Sequence, residues 1–234
     1  MAAPGPPRLE VVGGTLPPVG QAALLAGSFN PITRAHAALA AAGHRAGQER
    51  IVLAMAPVSL DKEGVERAHP VDRLDWVRAW ARRLPWAVVA VSSHPLLVDM
   101  AEALARRTGG EVALLVGTDK AAQLVDPRYY QDPGRAIERL DRTASLLVAE
   151  RAGYPATALP LRAEPLPTPG WTPARSSTEA RAAAARGEPL DQLVPRVVAE
   201  AIRRTRAYDD DPAPYLARAR QLDELLAVAR SAGD

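Results

Sequence analysis

The chain has 234 residues, enough to bury a sizeable core, and 47% of them are apolar, which excludes disorder throughout. Its 29 basic and 27 acidic residues leave a formal charge of +2, too weak a field to hold nucleic acid or a membrane surface by charge alone. There is no cysteine, so disulfides, zinc thiolates and cysteine nucleophiles are excluded.

Residues 1–20 are rich in Pro and Gly without a period and read as a flexible leader with no secretion-signal pattern. No later apolar run reaches membrane-spanning length, so a soluble cytoplasmic protein is the expectation. From Ala22 the pattern alternates. "AALLAG" is a short apolar strand, and "RAHAALAAAGHRA" is a helix closing near Gly43. A second strand spans Arg50 to Ala56. The next helix carries Val71, Leu74, Trp76, Val77, Trp80 and Leu84 at helical spacing. "WAVVAVS", "EVALLVG" and "ASLLVAE" are the third, fourth and fifth strands, with the helix "PLLVDMAEALARRTGG" after the third. Pro-rich connectors fill 153–175, and "STEARAAAARGE" and "LVPRVVAEAIRRTRAY" are the last helices of a domain expected over 21–208.

Wholly apolar strands alternating with helices predict an α/β fold: a Rossmann-like, doubly wound parallel sheet with helices on both faces. Residues 209–234 read as an acidic break followed by a tail helix. Leu216, Leu222, Leu225, Leu226 and Val228 are its candidate apolar side, packed on its own domain or used as a contact in a homo-oligomer.

The chemistry gathers in three places. In "GSFNPITRAH", Gly27 ends the first strand where ligands of parallel sheets collect, and Ser28 and Phe29 offer main-chain N–H groups. Thr33 is a helix N-cap, and His36 falls in the first helical turn, where a cation is disfavoured without an anion in front of it. A plain tight turn with a solvated His36 fits the same residues. In "ARSSTEARAAAARGE", Ser176 and Glu179 have capping-box spacing. Arg181 adds a second cation near a helix start, on one face with Ser177 and beside Thr178, a set suited to polyphosphate. In "LLVGTD", Gly117 ends a strand and Asp119 is the first carboxylate beyond it, a ribose ligand or a helix cap. His44, His69 and Arg203 to Arg206 read as ordinary helix-end and surface residues.

Together, "GSFNPITRAH", "APVS", "LLVGTD", "SSTEAR" and "LVPRVVAEAIRRTRAY" resemble, in order, the motifs of the nucleotidylyltransferases with a Thr/His-x-x-His signature. More narrowly they resemble the nicotinamide/nicotinate mononucleotide adenylyltransferases. The resemblance implies in-line attack of a mononucleotide 5′-phosphate on the α-phosphorus of ATP, with pyrophosphate leaving. It implies Gly27, Ser28 and Phe29 as a phosphate cradle and Thr33 and His36 on the ATP phosphates. Ser177, Thr178 and Arg181 would hold the β- and γ-phosphates, and Gly117 and Asp119 the ribose. Thr33, His36 and Arg181 are the implied catalytic set. Ser28, Lys62, His94, Tyr129 and Tyr130 are implied on the acceptor side. Tyr129 and Tyr130 stand where the family usually has Leu-Trp, and Arg175 where it has isoleucine. Mg2+ would accompany ATP without a dedicated cage of protein ligands. The partners implied are small molecules only. Another phosphate-ester acceptor, or a non-catalytic nucleotide-binding protein, are the alternative readings.

Overall fold

The structure, a computed structural model, describes residues 5–16, 21–56, 68–150, 162–168 and 176–231. Its strands are β1 (Leu9–Gly13), β2 (Ala22–Ala26), β3 (Arg50–Met55), β4 (Ala87–Ser92), β5 (Val112–Gly117), β6 (Ala144–Ala149) and β7 (Ala163–Pro165). The helices among the described residues are α1 (Arg34–Arg45), α2 (Pro70–Ala81), α3 (Leu97–Thr108), α4 (Thr118–Ala122), α5 (Pro133–Asp141), α6 (Ser177–Ala185), α7 (Arg196–Thr205) and α8 (Ala213–Ser231). No helix among the described residues is long and apolar enough to cross a membrane.

The chain divides into two compact units. One comprises Met1–Ser28, Ala35–Glu63 and Ala81–Pro173; the other comprises Phe29–Arg34, Gly64–Trp80 and Ala174–Asp234.

The first unit holds the whole sheet, in the order β1-β4-β3-β2-β5-β6-β7. β1 runs antiparallel to β4, and every other pair is parallel. The apolar strands alternate faces residue by residue, as the pleat requires. Leu24, Val52, Ala54, Val88, Leu114, Val116 and Leu146 point to one face. There they meet Val98, Met100, Ala101 and Leu104 of α3, together with Ala136 and Leu140 of α5. α1 covers the other face so closely that a Cβ on Gly43 would lie 2.6 Å from a Leu115 methyl and 3.3 Å from Ile51 Cδ1. With helices on both faces, the fold is the expected Rossmann-like, doubly wound α/β sheet.

Three elements were not anticipated. β1 lies inside the stretch expected to be a flexible leader, yet Leu9 through Gly13 pair with β4 as an edge strand. Its five residues alternate too weakly for a strand to be read without its partner. β7 forms within the Pro-rich connectors, and α5 is a short helix capped by the Asp132 carboxylate, which accepts from Arg135 N.

The second unit contains α2, apart from its last residue, with α6, α7 and α8. His69 accepts the Val71 N–H at Nδ1 and so caps α2, leaving the Nε2 proton to bond Asp223 of α8. The Asp72 carboxylate, buried in the first turn of α2, receives the Tyr215 hydroxyl at 2.8 Å and the Arg218 guanidinium. α8 is therefore tied to its own unit through polar groups. The expected apolar side is not buried: Leu225 and Val228 are 65% and 66% exposed.

Replacing Gly43 with valine should lower stability by about 1–3 kcal/mol in chemical denaturation, because the packed sheet face cannot withdraw. Gly110→Ala, with open space around its Cα, serves as the near-neutral control. Arg218→Ala should cost about 2 kcal/mol in the same measurement, since it leaves a buried carboxylate short of its cation while water replaces part of the lost contact.

Candidate active site

In the first unit, β2 and β5 are neighbours, and the chain winds to opposite sides of the sheet from them. Such a switch point leaves a crevice beyond the carboxyl ends of the two strands. Gly27 follows the end of β2, and Gly117 ends β5. Neither glycine works quite as its sequence suggests. The Gly27 N–H donates to Ala54 O at 3.1 Å, so it serves the β2–β3 ladder rather than a phosphate. A Cβ on Gly117 would lie 2.7 Å from Asp119 Oδ1, so the missing side chain makes room for this chain's own carboxylate. Asp119 is the second residue of α4, whose N-cap is Gly117 with no side-chain cap. Asp119 is therefore not the N-cap residue itself, and its carboxylate lies back over the strand end.

α1 begins at Arg34, so Thr33 stands at its N-cap position, fully buried, and His36 is the third helical residue, half-buried. Both lie where the sequence puts them. The His36 ring is thus carried at the positive end of the helix dipole.

His94, just past β4, is held by its neighbours: Ser93 Oγ lies 2.9 Å from its Nδ1, and its backbone N–H donates to Ser92 Oγ at 3.2 Å. Tyr129 is half-buried, with the Arg128 guanidinium 5.9 Å from its ring centre. Tyr130 differs from expectation. Its side chain is 7% exposed, within the hydrophobic core. A ring so placed is not presented to an acceptor. Burial pushes the Tyr130 phenol up to about 12. Lys62 and Arg175 lie outside the described residues.

The second unit organises the other candidates around the loop Phe29–Arg34. Phe29 adopts φ 43°, a left-handed conformation that a bulky residue rarely tolerates, with its ring 1% exposed. Ser177 Oγ donates to Pro31 O at 2.9 Å. Arg181 Nη1 donates to Asn30 O at 2.9 Å, and its Nη2 to Thr178 Oγ1 at 3.2 Å. Ser176 accepts the Glu179 N–H, the capping contact its spacing predicts. The first N–H of α1, on Arg34, is taken by Leu193 O. Ser177, Thr178 and Arg181 are thus gathered on one turn of α6 and tied to this loop.

Two residues of this arrangement escape sequence reasoning. Asn30 is fully buried; its Oδ1 accepts the Tyr208 hydroxyl at 2.7 Å and the Ala68 N–H at 3.3 Å. Tyr208, after α7, stands edge-on to Trp76. Their only local signal is an asparagine before proline, which reads equally as a turn. Among the described residues, no group of three or more His, Asp or Glu could hold a metal ion.

Comparison with known proteins agrees with this architecture. A cytidylyltransferase-like family model matches residues 24–183. A protein of Anaeromyxobacter dehalogenans strain 2CP-C named "Probable nicotinate-nucleotide adenylyltransferase" is 33% identical over 195 residues, covering 80% of this chain and 95% of that one. A protein of strain 2CP-1 with the same name is 33% identical over 185 residues, covering 75% and 90%. Among solved structures, the Plasmodium falciparum nicotinic acid mononucleotide adenylyltransferase complexed with NaAD superposes with a TM-score of 0.63 at 13% identity, over 81% of this chain and 97% of that one. At that identity the likeness shows the fold. The chain belongs to the cytidylyltransferase-like nucleotidyltransferases and, within them, to the family of the nicotinate-nucleotide adenylyltransferases.

A pH titration of stability checks the placement of Tyr130. The unfolded phenol loses its proton near 10, whereas the folded one holds it to about 12, so stability should be full below pH 10 and fall as pH rises towards 12. Tyr130→Phe should make that fall shallower, the part that remains coming from the buried Tyr208 and Tyr215 phenols, whose pKa values burial also raises.

Proposed function

We propose that the protein transfers the adenylyl group of ATP to nicotinate mononucleotide, forming nicotinate adenine dinucleotide and pyrophosphate. One observation carries the reading. In the first unit, the switch point between β2 and β5 is followed by the sequence that places His36 on the first turn of α1 and the Asp119 carboxylate beside Gly117. The names of the curated relatives support nicotinate mononucleotide as the acceptor.

An oxygen of the mononucleotide 5′-phosphate attacks the α-phosphorus in line. The bond from that phosphorus to the oxygen bridging the α- and β-phosphates breaks, and its electron pair leaves with pyrophosphate. No covalent intermediate on the protein is needed, so the side chains position the reactants and offset developing charge. His36 donates to an oxygen of the reacting phosphate, helped by the positive end of α1. Thr33 bonds the ATP phosphates. Thr178 and Arg181, with Ser177, hold the departing β- and γ-phosphates, where the two-nitrogen face of a guanidinium suits phosphate oxygens. Asp119 accepts the ribose hydroxyls beside Gly117. Ser28, Lys62, His94 and Tyr129 serve the acceptor. Mg2+ enters with ATP as part of the substrate.

His36→Ala should reduce kcat by about two to three orders of magnitude while weakening ATP binding only modestly, as befits a donor that acts mainly in the transition state. Pyrophosphate release from ATP plus nicotinate mononucleotide, set beside ATP affinity by calorimetry, is the measurement. Near-normal turnover would remove His36 from the mechanism, and a wild-type protein that releases no pyrophosphate would refute the reading.

A further inference from the structure

We propose that Asn30 and Tyr208 are positioning residues for Arg181: the Tyr208 hydroxyl locks the Asn30 amide, and the locked Asn30 carbonyl orients the guanidinium. This rests on the functional reading above. All the contacts involved lie within the second unit.

The orientation of the amide follows from its neighbours. The Ala68 N–H can only donate, so Oδ1 must face it, at 3.3 Å. The Tyr208 hydroxyl then donates to the same oxygen at 2.7 Å. A flipped amide would set its NH2 against the Ala68 N–H, donor against donor. Two donors, one before α2 and one after α7, thus hold a side chain that is 0% exposed through its oxygen alone, its Nδ2 having no hydrogen-bond partner among the described residues. Its main-chain oxygen is the acceptor for Arg181 Nη1 at 2.9 Å, and the next carbonyl, of Pro31, receives Ser177 Oγ at 2.9 Å. The first turns of α6 are therefore seated on two consecutive carbonyls whose position the buried amide sets. Burial holds the Tyr208 phenol protonated well above its usual range, so it remains a donor at every working pH.

A purely structural role for Tyr208 would lower stability and leave the chemistry of the folded fraction alone. A positioning role acts through Arg181, and a mutant cycle separates the two. Tyr208→Phe keeps the ring against Trp76 and removes one oxygen. In the wild-type background it should lower kcat about tenfold with the KM for nicotinate mononucleotide unchanged, the scale expected of a misplaced catalytic group. In the Arg181→Lys background the same change should alter kcat by less than about twofold. Asn30→Ala, which cuts the link from the other side, should reproduce this pattern and add nothing to Tyr208→Phe. An unchanged kcat in folded Tyr208→Phe, or an equal factor in both backgrounds, overturns the inference. If the wild type proves inactive with ATP and nicotinate mononucleotide, the functional reading fails instead. The thermal shift given by inorganic tripolyphosphate then decides: it should shrink in Tyr208→Phe and not shrink further when that change is added to Arg181→Lys. Equal shifts in wild type and Tyr208→Phe, or none in either, would sink the proposal.

Discussion

A buried amide sets the geometry of the second unit. Asn30 loses all contact with water, and its Nδ2 finds no hydrogen-bond partner among the described residues, so its two oxygens carry the polar contacts that offset the cost of burying it. Its Oδ1 takes two donors from segments 38 and 178 residues away in sequence, and its main-chain oxygen takes a guanidinium 151 residues away. The penalty for leaving any of these unmade is what makes the loop from Phe29 to Arg34 adopt one shape. It also supports a phenylalanine held at positive φ, which short-range preferences alone would reject.

The first unit obeys a different constraint, that of a parallel sheet covered on both faces. Its strands must be apolar on each side, and its helices must approach closely, as α1 does over Gly43. The strand ends are then the places where polar side chains can emerge. Gly117 is glycine because Asp119 folds back over it, and the Gly27 N–H completes the ladder to Ala54. Gly117 therefore has a steric reason for its identity in the neighbouring carboxylate, while the Gly27 N–H ties the loop after β2 to β3.

Much of the fold was legible because it rests on period. The five central strands are short, mostly apolar runs, and α1, α2, α3, α6 and α7 show helical spacing, with a capping box at the start of α6. Leu9–Gly13 was not legible, since an edge strand of five residues is defined by its partner β4 more than by its own pattern. The tail helix was legible as a helix but not in its attachment. Its leucines suggested an apolar seam, whereas Tyr215, Arg218 and Asp223 bind it through the buried Asp72 and His69. Tyr130 is expected on the acceptor side, but its ring is buried in the core.

Among the candidate site residues, the division follows the range of the interaction. Thr33, His36, Ser176 and Glu179 owe their places to helix starts a few residues long, and capping chemistry is written into adjacent positions. Their placement could be read from the chain alone. The seating of Arg181 on Asn30, the lock on Asn30 by Tyr208 and the removal of Tyr130 into the core join residues far apart in sequence. Each depends on which distant donor or apolar surface arrives beside a group that cannot be buried alone. No local pattern records that, because the free energy deciding it appears only when the partners meet.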